Sequence, residues 1–247
     1  LEQLAMNTPN SEMKGRVELK YDRKDFSDFN NKVVFDVEFD KASIASNDLN
    51  FFYNEFGKNN IFYVDTHLVG TLNNFTTHNL KLTDKNQSEI IGTANFQNLF
   101  GKENQEFYMK GSFDRITSDY EALKIIMPRV LGKNLPSVLA KLGRVDLNGD
   151  VELTQKYINA NVYLLSKLGI VDGDLAIQNI DNIDNASYQG NIKLDNFDLG
   201  TLLSEKDLGK TTLDLDVDGK GFTQKLLNTS IEGTIKLYNN QVFIADN

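Results

Sequence analysis

Hydrophobic and polar residues alternate one for one along most of this chain, and glycines fall in step with the hydrophobic ones. Val33, Phe35, Val37 and Phe39 share one parity, with Lys32, Asp36, Glu38 and Asp40 on the other. Val145, Leu147, Val151 and Leu153 alternate with Asp146, Asn148, Asp150 and Glu152, and Leu213, Leu215 and Val217 alternate with Asp214, Asp216 and Asp218. Successive side chains of a strand point to opposite faces, so a period of two predicts strands with one dry face and one wet face. Polar clusters such as Gly57-Lys58-Asn59-Asn60 and Asp84-Lys85-Asn86-Gln87 separate the runs and predict turns.

The glycines constrain the fold further. They occur as Leu68-x-Gly70-x-Leu72, Ile90-x-Gly92-x-Ala94, Met109-x-Gly111-x-Phe113 and Leu147-x-Gly149-x-Val151. The pattern continues as Val171-x-Gly173-x-Leu175, Tyr188-x-Gly190-x-Ile192 and Ile231-x-Gly233-x-Ile235, and Gly219 follows Val217 in the same phase. Glycine weakens a strand interior, so its repeated placement on the dry face requires a reason. Gaps aligned across neighbouring strands let a sheet curl over itself or leave room for a ligand. Bulges or bends in a β-sandwich would also use glycine. The kept phase favours an all-β fold made of a curled antiparallel sheet, with an open groove and an apolar interior, over a closed sandwich.

One segment, 119–142, departs from the alternation. Leu123, Ile126, Met127, Val130 and Leu131 have helical spacing, Pro128 interrupts them, and Asn134-Leu135-Pro136 suits the start of a second helix. This predicts a β region over 1–118, a helical insertion, and a β region over 143–247 continuous with the first. A weaker helix candidate spans Leu199 to Leu208. These helices would plug an open end of the sheet or cover an edge strand.

The 247 residues include no cysteine, which excludes disulfides, thiolate metal sites and cysteine nucleophiles. A net charge of −9 argues against nucleic acid, whose phosphates call for a basic patch. The two histidines, His67 and His78, fall on adjacent predicted strands and do not make a metal site by themselves. Asp214-x-Asp216-x-Asp218-Gly219 resembles the opening of a calcium loop, but its twelfth position is Lys225 instead of a bidentate glutamate. No acid–base or nucleophile constellation stands out, so neither an enzyme nor a cofactor is expected. No stretch approaches the ~20 apolar residues of a membrane-spanning helix. The ends read as those of a piece of a longer chain, with Leu1-Glu2-Gln3-Leu4 resembling mid-domain sequence.

The run from Tyr188-Gln-Gly190 through Ile192-Lys-Leu194-Asp-Asn-Phe197-Asp-Leu199-Gly200-Thr-Leu202-Leu203 resembles a recurring segment of the TamB/AsmA-like family. Its continuation, Leu208-Gly209 through Val217-Asp-Gly219-Lys-Gly221-Phe222 and then Ile231-Glu-Gly233-Thr-Ile235, is similar as well, as is Leu135-Pro136 followed by Val145-Asp-Leu147-Asn-Gly149. The likeness covers roughly residues 11–247 and is closest to the Bacteroidetes type. It implies a taco-shaped sheet and a non-enzymatic periplasmic role, with the full-length protein anchored in the inner membrane. It also implies phospholipid as partner and, through regions outside this sequence, an outer-membrane β-barrel assembly protein. A scaffold that pairs its sheet edge with partner strands is the alternative.

On this reading the groove is lined by Val33, Phe35, Val37, Phe39, Leu68, Leu72, Met109, Phe113, Leu147, Val151, Leu153, Val171, Leu175, Ile192, Leu194, Leu215, Val217, Ile231 and Ile235. It is shaped by Gly70, Gly92, Gly111, Gly149, Gly173, Gly190, Gly219 and Gly233.

Overall fold

The computed structural model describes residues 4–52, 56–99, 105–126, 137–180, 182, 185–221 and 228–238. Among the described residues, thirteen strands form one antiparallel sheet whose spatial order is the chain order. They are β1 (Leu4–Asn7), β2 (Glu12–Lys20), β3 (Val34–Ala45), β4 (Ile61–Thr71), β5 (Asn74–Asp84), β6 (Glu89–Gln97) and β7 (Tyr108–Asp119). They continue as β8 (Arg144–Thr154), β9 (Tyr157–Ser166), β10 (Gly169–Gln178), β11 (Ser187–Asp198), β12 (Lys210–Lys220) and β13 (Asn228–Tyr238). Among the described residues β1 and β13 do not pair with each other, so the sheet is curled but open.

Short helices fill some connections. A 3-10 helix (Arg23–Asp28) and α1 (Phe29–Lys32) join β2 to β3, and α2 (Ser46–Phe52) follows β3. The 119–142 segment supplies α3 (Tyr120–Ile126) and a 3-10 helix (Ser137–Leu142), while β7 and β8 pair directly across it. Met127, Pro128, Val130, Leu131, Asn134, Leu135 and Pro136 lie outside the described residues. α4 (Leu199–Leu203) is shorter than the sequence predicts, because Ser204 adopts a left-handed conformation (φ 64°) that ends it. Strands alternate in direction, so β3, β7 and β11 end at the same rim. That places α2, α3, α4 and the Ser137–Leu142 helix at one end of the groove, here the upper rim.

The strand register shows what the glycines do. One row across the inner face reads Leu80, Gly92, Phe113, Gly149, Val162, Gly173, Ile192, Leu215, Gly233. Large side chains largely alternate with glycines from strand to strand, so each bulky group leans over a neighbour that has none. Two positions explain the requirement. Gly149 has φ 132°, and a Cβ there would collide with the Asn161 carbonyl oxygen and lie 2.8 Å from the Val162 Cα. A Cβ at Gly111 would lie 2.5 Å from the Phe113 ring, which covers it.

Four strands each carry an extra residue, and those of β3, β5 and β7 lie at about the same level. The pairing shifts after Phe39 in β3, after Thr77 in β5, after Phe113 in β7 and after Leu194 in β11. Lys41, Asn79 and Asn196 take positive φ at three of these bulges, between 48° and 52°. A bulge bends its strand and switches the parity that faces inward. Ala42, Leu80, Ile116 and Phe197 therefore continue the dry face, although each is out of phase with the apolar residue before it.

Candidate functional site

Two apolar clusters cap the groove. The upper one joins Leu142, Val145, Leu168, Leu194, Phe197 and Leu213, with Leu199 and Leu202 of α4 packed on it. Phe197 is 1% exposed. α4 can sit there because Asp198 caps it: its Oδ1 accepts the Thr201 N–H at 2.8 Å and its Oδ2 the Thr201 hydroxyl at 2.7 Å. These bonds hold the Asp198 carboxyl below its ordinary range. Lys141 donates to the Leu202 carbonyl at 2.8 Å and to Ser204, which ties the Ser137–Leu142 helix to the end of α4. The lower cluster joins Phe75, Leu99, Phe107 and Leu153, with Leu68, Phe96, Met109, Ile158 and Ile180 packed around it.

A cavity of about 310 Å³ lies between these clusters. Its floor is the inner face of four strands: Ile90 from β6, Met109, Phe113 and Ile116 from β7, Val145, Leu147, Val151 and Leu153 from β8, and Leu164 from β9. Its roof is Tyr120, Leu123 and Ile126 of α3 with Leu139 and Leu142, and Gly143 follows at the entry to β8. No lining residue carries a formal charge. The volume is at the lower end of the range for small-molecule pockets, about 300–1,000 Å³. An aliphatic group fits this chemistry, because nothing in the lining needs a hydrogen-bond partner except the Tyr120 hydroxyl and the backbone.

Of the residues that sequence parity nominates, Met109, Phe113, Leu147, Val151 and Leu153 line this cavity. Val171, Ile192, Leu194 and Leu215 belong to the upper cluster and Leu68 to the lower. Val37 and Val217 are buried elsewhere on the sheet, Val33 is buried at the C-cap of α1 just before β3, and Phe35, Phe39 and Leu175 are half-buried. Phe35 packs edge-on against Phe29 of α1. Leu72 lies in the β4–β5 turn. Ile231 and Ile235, on β13, are 59% and 56% exposed. Among the glycines, Gly92, Gly149, Gly173 and Gly233 share the row given above. Gly70 faces Phe35 and Phe75, Gly190 faces Leu175 and Val217, and Gly219 faces Tyr188. Ile90, in phase with Gly92, also lines the cavity, whereas parity alone misses Ile116, which follows a bulge, and Leu164, which carries no mark beyond ordinary alternation.

The polar groups lie on the outer face. His67 pairs across the strands with His78, and its Nε2 is 2.8 Å from Asp36 Oδ1. That bond, more than the neighbouring Lys20, holds the Asp36 carboxyl below its ordinary range. Asp214 and Asp216 both accept from Asn191, at 2.9 and 3.0 Å, as the wet side of β12. The Tyr157 hydroxyl donates to Glu152 at 2.8 Å, and burial together with that carboxylate pushes it up to about 12. Among the described residues, no group of three or more His, Asp or Glu side chains is placed to hold a metal ion. No helix among them is long and apolar enough to cross a membrane. Comparison with protein-family models, with curated proteins and with solved structures returns no match for the chain.

Proposed function

We propose that this chain is a non-enzymatic, TamB/AsmA-like module of the periplasm that binds or conducts phospholipid acyl chains along its inner face, between the inner and outer membranes. The observation that carries this reading is the partly open cavity between α3 and β6–β9, whose lining is hydrocarbon and one tyrosine ring. An acyl chain gains about 0.8 kcal/mol for each CH₂ it buries, without any directional contact. Such a chain slides between equivalent sites more readily than a hydrogen-bonded ligand. The acidic outer rows keep the wet face hydrated, and the headgroup remains in solvent.

The test is photo-crosslinking in cells, with a photoreactive residue at Leu147 or Val151 and an outward control at Asp150. Phospholipid adducts at the inward positions alone support the reading. Equal adducts at Asp150, or none anywhere, count against it.

A second reading is supported by a separate observation. Among the described residues, β12 is the only strand paired with β13, so the other edge of this 11-residue strand has no partner strand among them. On that reading the protein is a scaffold that assists outer-membrane protein assembly by adding partner strands to this edge. Crosslinks from β13 to outer-membrane proteins, with no lipid adducts inside, would favour it.

A further inference from the structure

We infer that the cavity between α3 and β6–β9 is a stopped site, which holds one unbranched aliphatic chain of about ten carbons lying along β7 and β8. This inference rests on the acyl-chain reading and sets a limit to the length of chain that is held.

The two apolar clusters close the ends of the cavity. Leu142 and Val145 line it and belong to the upper cluster, and Leu153 lines it and belongs to the lower. Val145 and Leu153 are eight residues apart on β8, roughly 26 Å at about 3.3 Å per residue. Across the strands the floor runs only from Ile90 on β6 to Leu164 on β9, three strand spacings or roughly 14 Å. The space is therefore longer along the strands than across them. A fused-ring or branched ligand would leave the ends empty and forfeit dispersion contacts there, whereas an unbranched chain reaches both.

Two glycines make the room. Gly149, between Leu147 and Val151 and opposite Phe113, puts no side chain on the middle of the floor. Gly111 lets the Phe113 ring lie against its own strand, where a Cβ would be 2.5 Å from the ring. The resulting 310 Å³ equals about ten volumes of the size of a water molecule, about 30 Å³ each, and a methylene group is of similar size. No lining residue carries a charge, so the polar head of the ligand stays at the open side, in solvent. A lipid with two tails places one of them here. Carbons beyond the limit meet no further wall and gain little.

The experiment is isothermal titration calorimetry of the chain with single-chain alkylphosphocholines below their micelle concentrations, in a series from about 6 to about 16 carbons. Affinity is expected to rise about fourfold per methylene, the equivalent of about 0.8 kcal/mol, up to about ten carbons and then to level off. Leu147→Phe, which adds bulk inside the cavity, is expected to move the break to a shorter chain. Leu164→Phe asks the same from β9 if far-UV circular dichroism shows that Leu147→Phe does not fold. Leu175→Phe, on the inner face outside the cavity, is expected to leave the break in place. An affinity that keeps the same slope through the longest chain overturns the inference and leaves the acyl-chain reading standing, as does a break that the two cavity variants do not move. Absence of saturable binding at every length overturns both.

Discussion

Gly149 and Gly173 sit in one row of the sheet, separated only by Val162, yet alanine should act on them in opposite directions. At Gly149 the backbone has φ 132°, and the added methyl meets the main chain of Asn161 and Val162 on β9. An L-residue held in such a conformation costs about 1–3 kcal/mol. Relieving the collision by moving β8 from β9 loses a ladder hydrogen bond, worth about 1 kcal/mol more. Gly149→Ala should therefore destabilise the fold by about 2–4 kcal/mol. At Gly173 the backbone is not in the left-handed region, and no atom lies within 4 Å of the new methyl. There the substitution mainly restricts the unfolded chain and should stabilise by about 0.4–1 kcal/mol. Urea unfolding, followed by far-UV circular dichroism because the chain contains no tryptophan, measures both. The reasoning fails if the two variants shift the midpoint in the same direction by similar amounts.

Asp198→Ala should cost about 1 kcal/mol in the same assay, since it removes the cap of α4, and Asp198→Asn should recover most of that loss. Asp36 gives a pH-dependent test. Its carboxyl is depressed in the folded state, so its contribution is present above the ordinary carboxylate value of about 3.9 and disappears as pH falls through the lower folded value. The stability difference between wild type and Asp36→Asn should accordingly be constant from pH 5 to 7, about one unit and more above that value, and shrink below pH 4; a difference that persists to pH 2 would contradict the assignment. Tyr157 should be among the last tyrosines to ionise in an alkaline absorbance titration, near its value of about 12. Tyr157→Phe should remove that phase and leave the earlier ones in place.

Most of the sheet was legible because one dry face imposes a period of two, and the paired rows follow that parity wherever strands are regular. It failed at the bulges, and the reason is visible in the residues. Asp40-Lys41, His78-Asn79, Asp114-Arg115 and Asp195-Asn196 are polar doublets that interrupt the alternation, and each marks an extra residue in its strand. A count that takes each doublet as a single position brings Ala42, Leu80, Ile116 and Phe197 back into phase. The glycines were legible as a pattern, but their cause was not. Collision with the neighbouring backbone at Gly149 and empty space at Gly173 look identical in sequence. α2 and the short helices before β3 were missed because segments of this length lack a repeated apolar face. The cavity itself depends on how α3 settles against β7 and β8, a long-range contact that no local period encodes.

A sheet ordered strictly as its chain has a consequence for assembly. No strand waits for a distant partner, so each hairpin can dock on the edge left by the one before it. Loop-closure entropy is then spent in small steps, and contact order stays low for an all-β protein of this size. Such a chain can build its sheet from the first strand onward while the rest is still being made. Its length can also change by whole hairpins without disturbing the register of what is already in place.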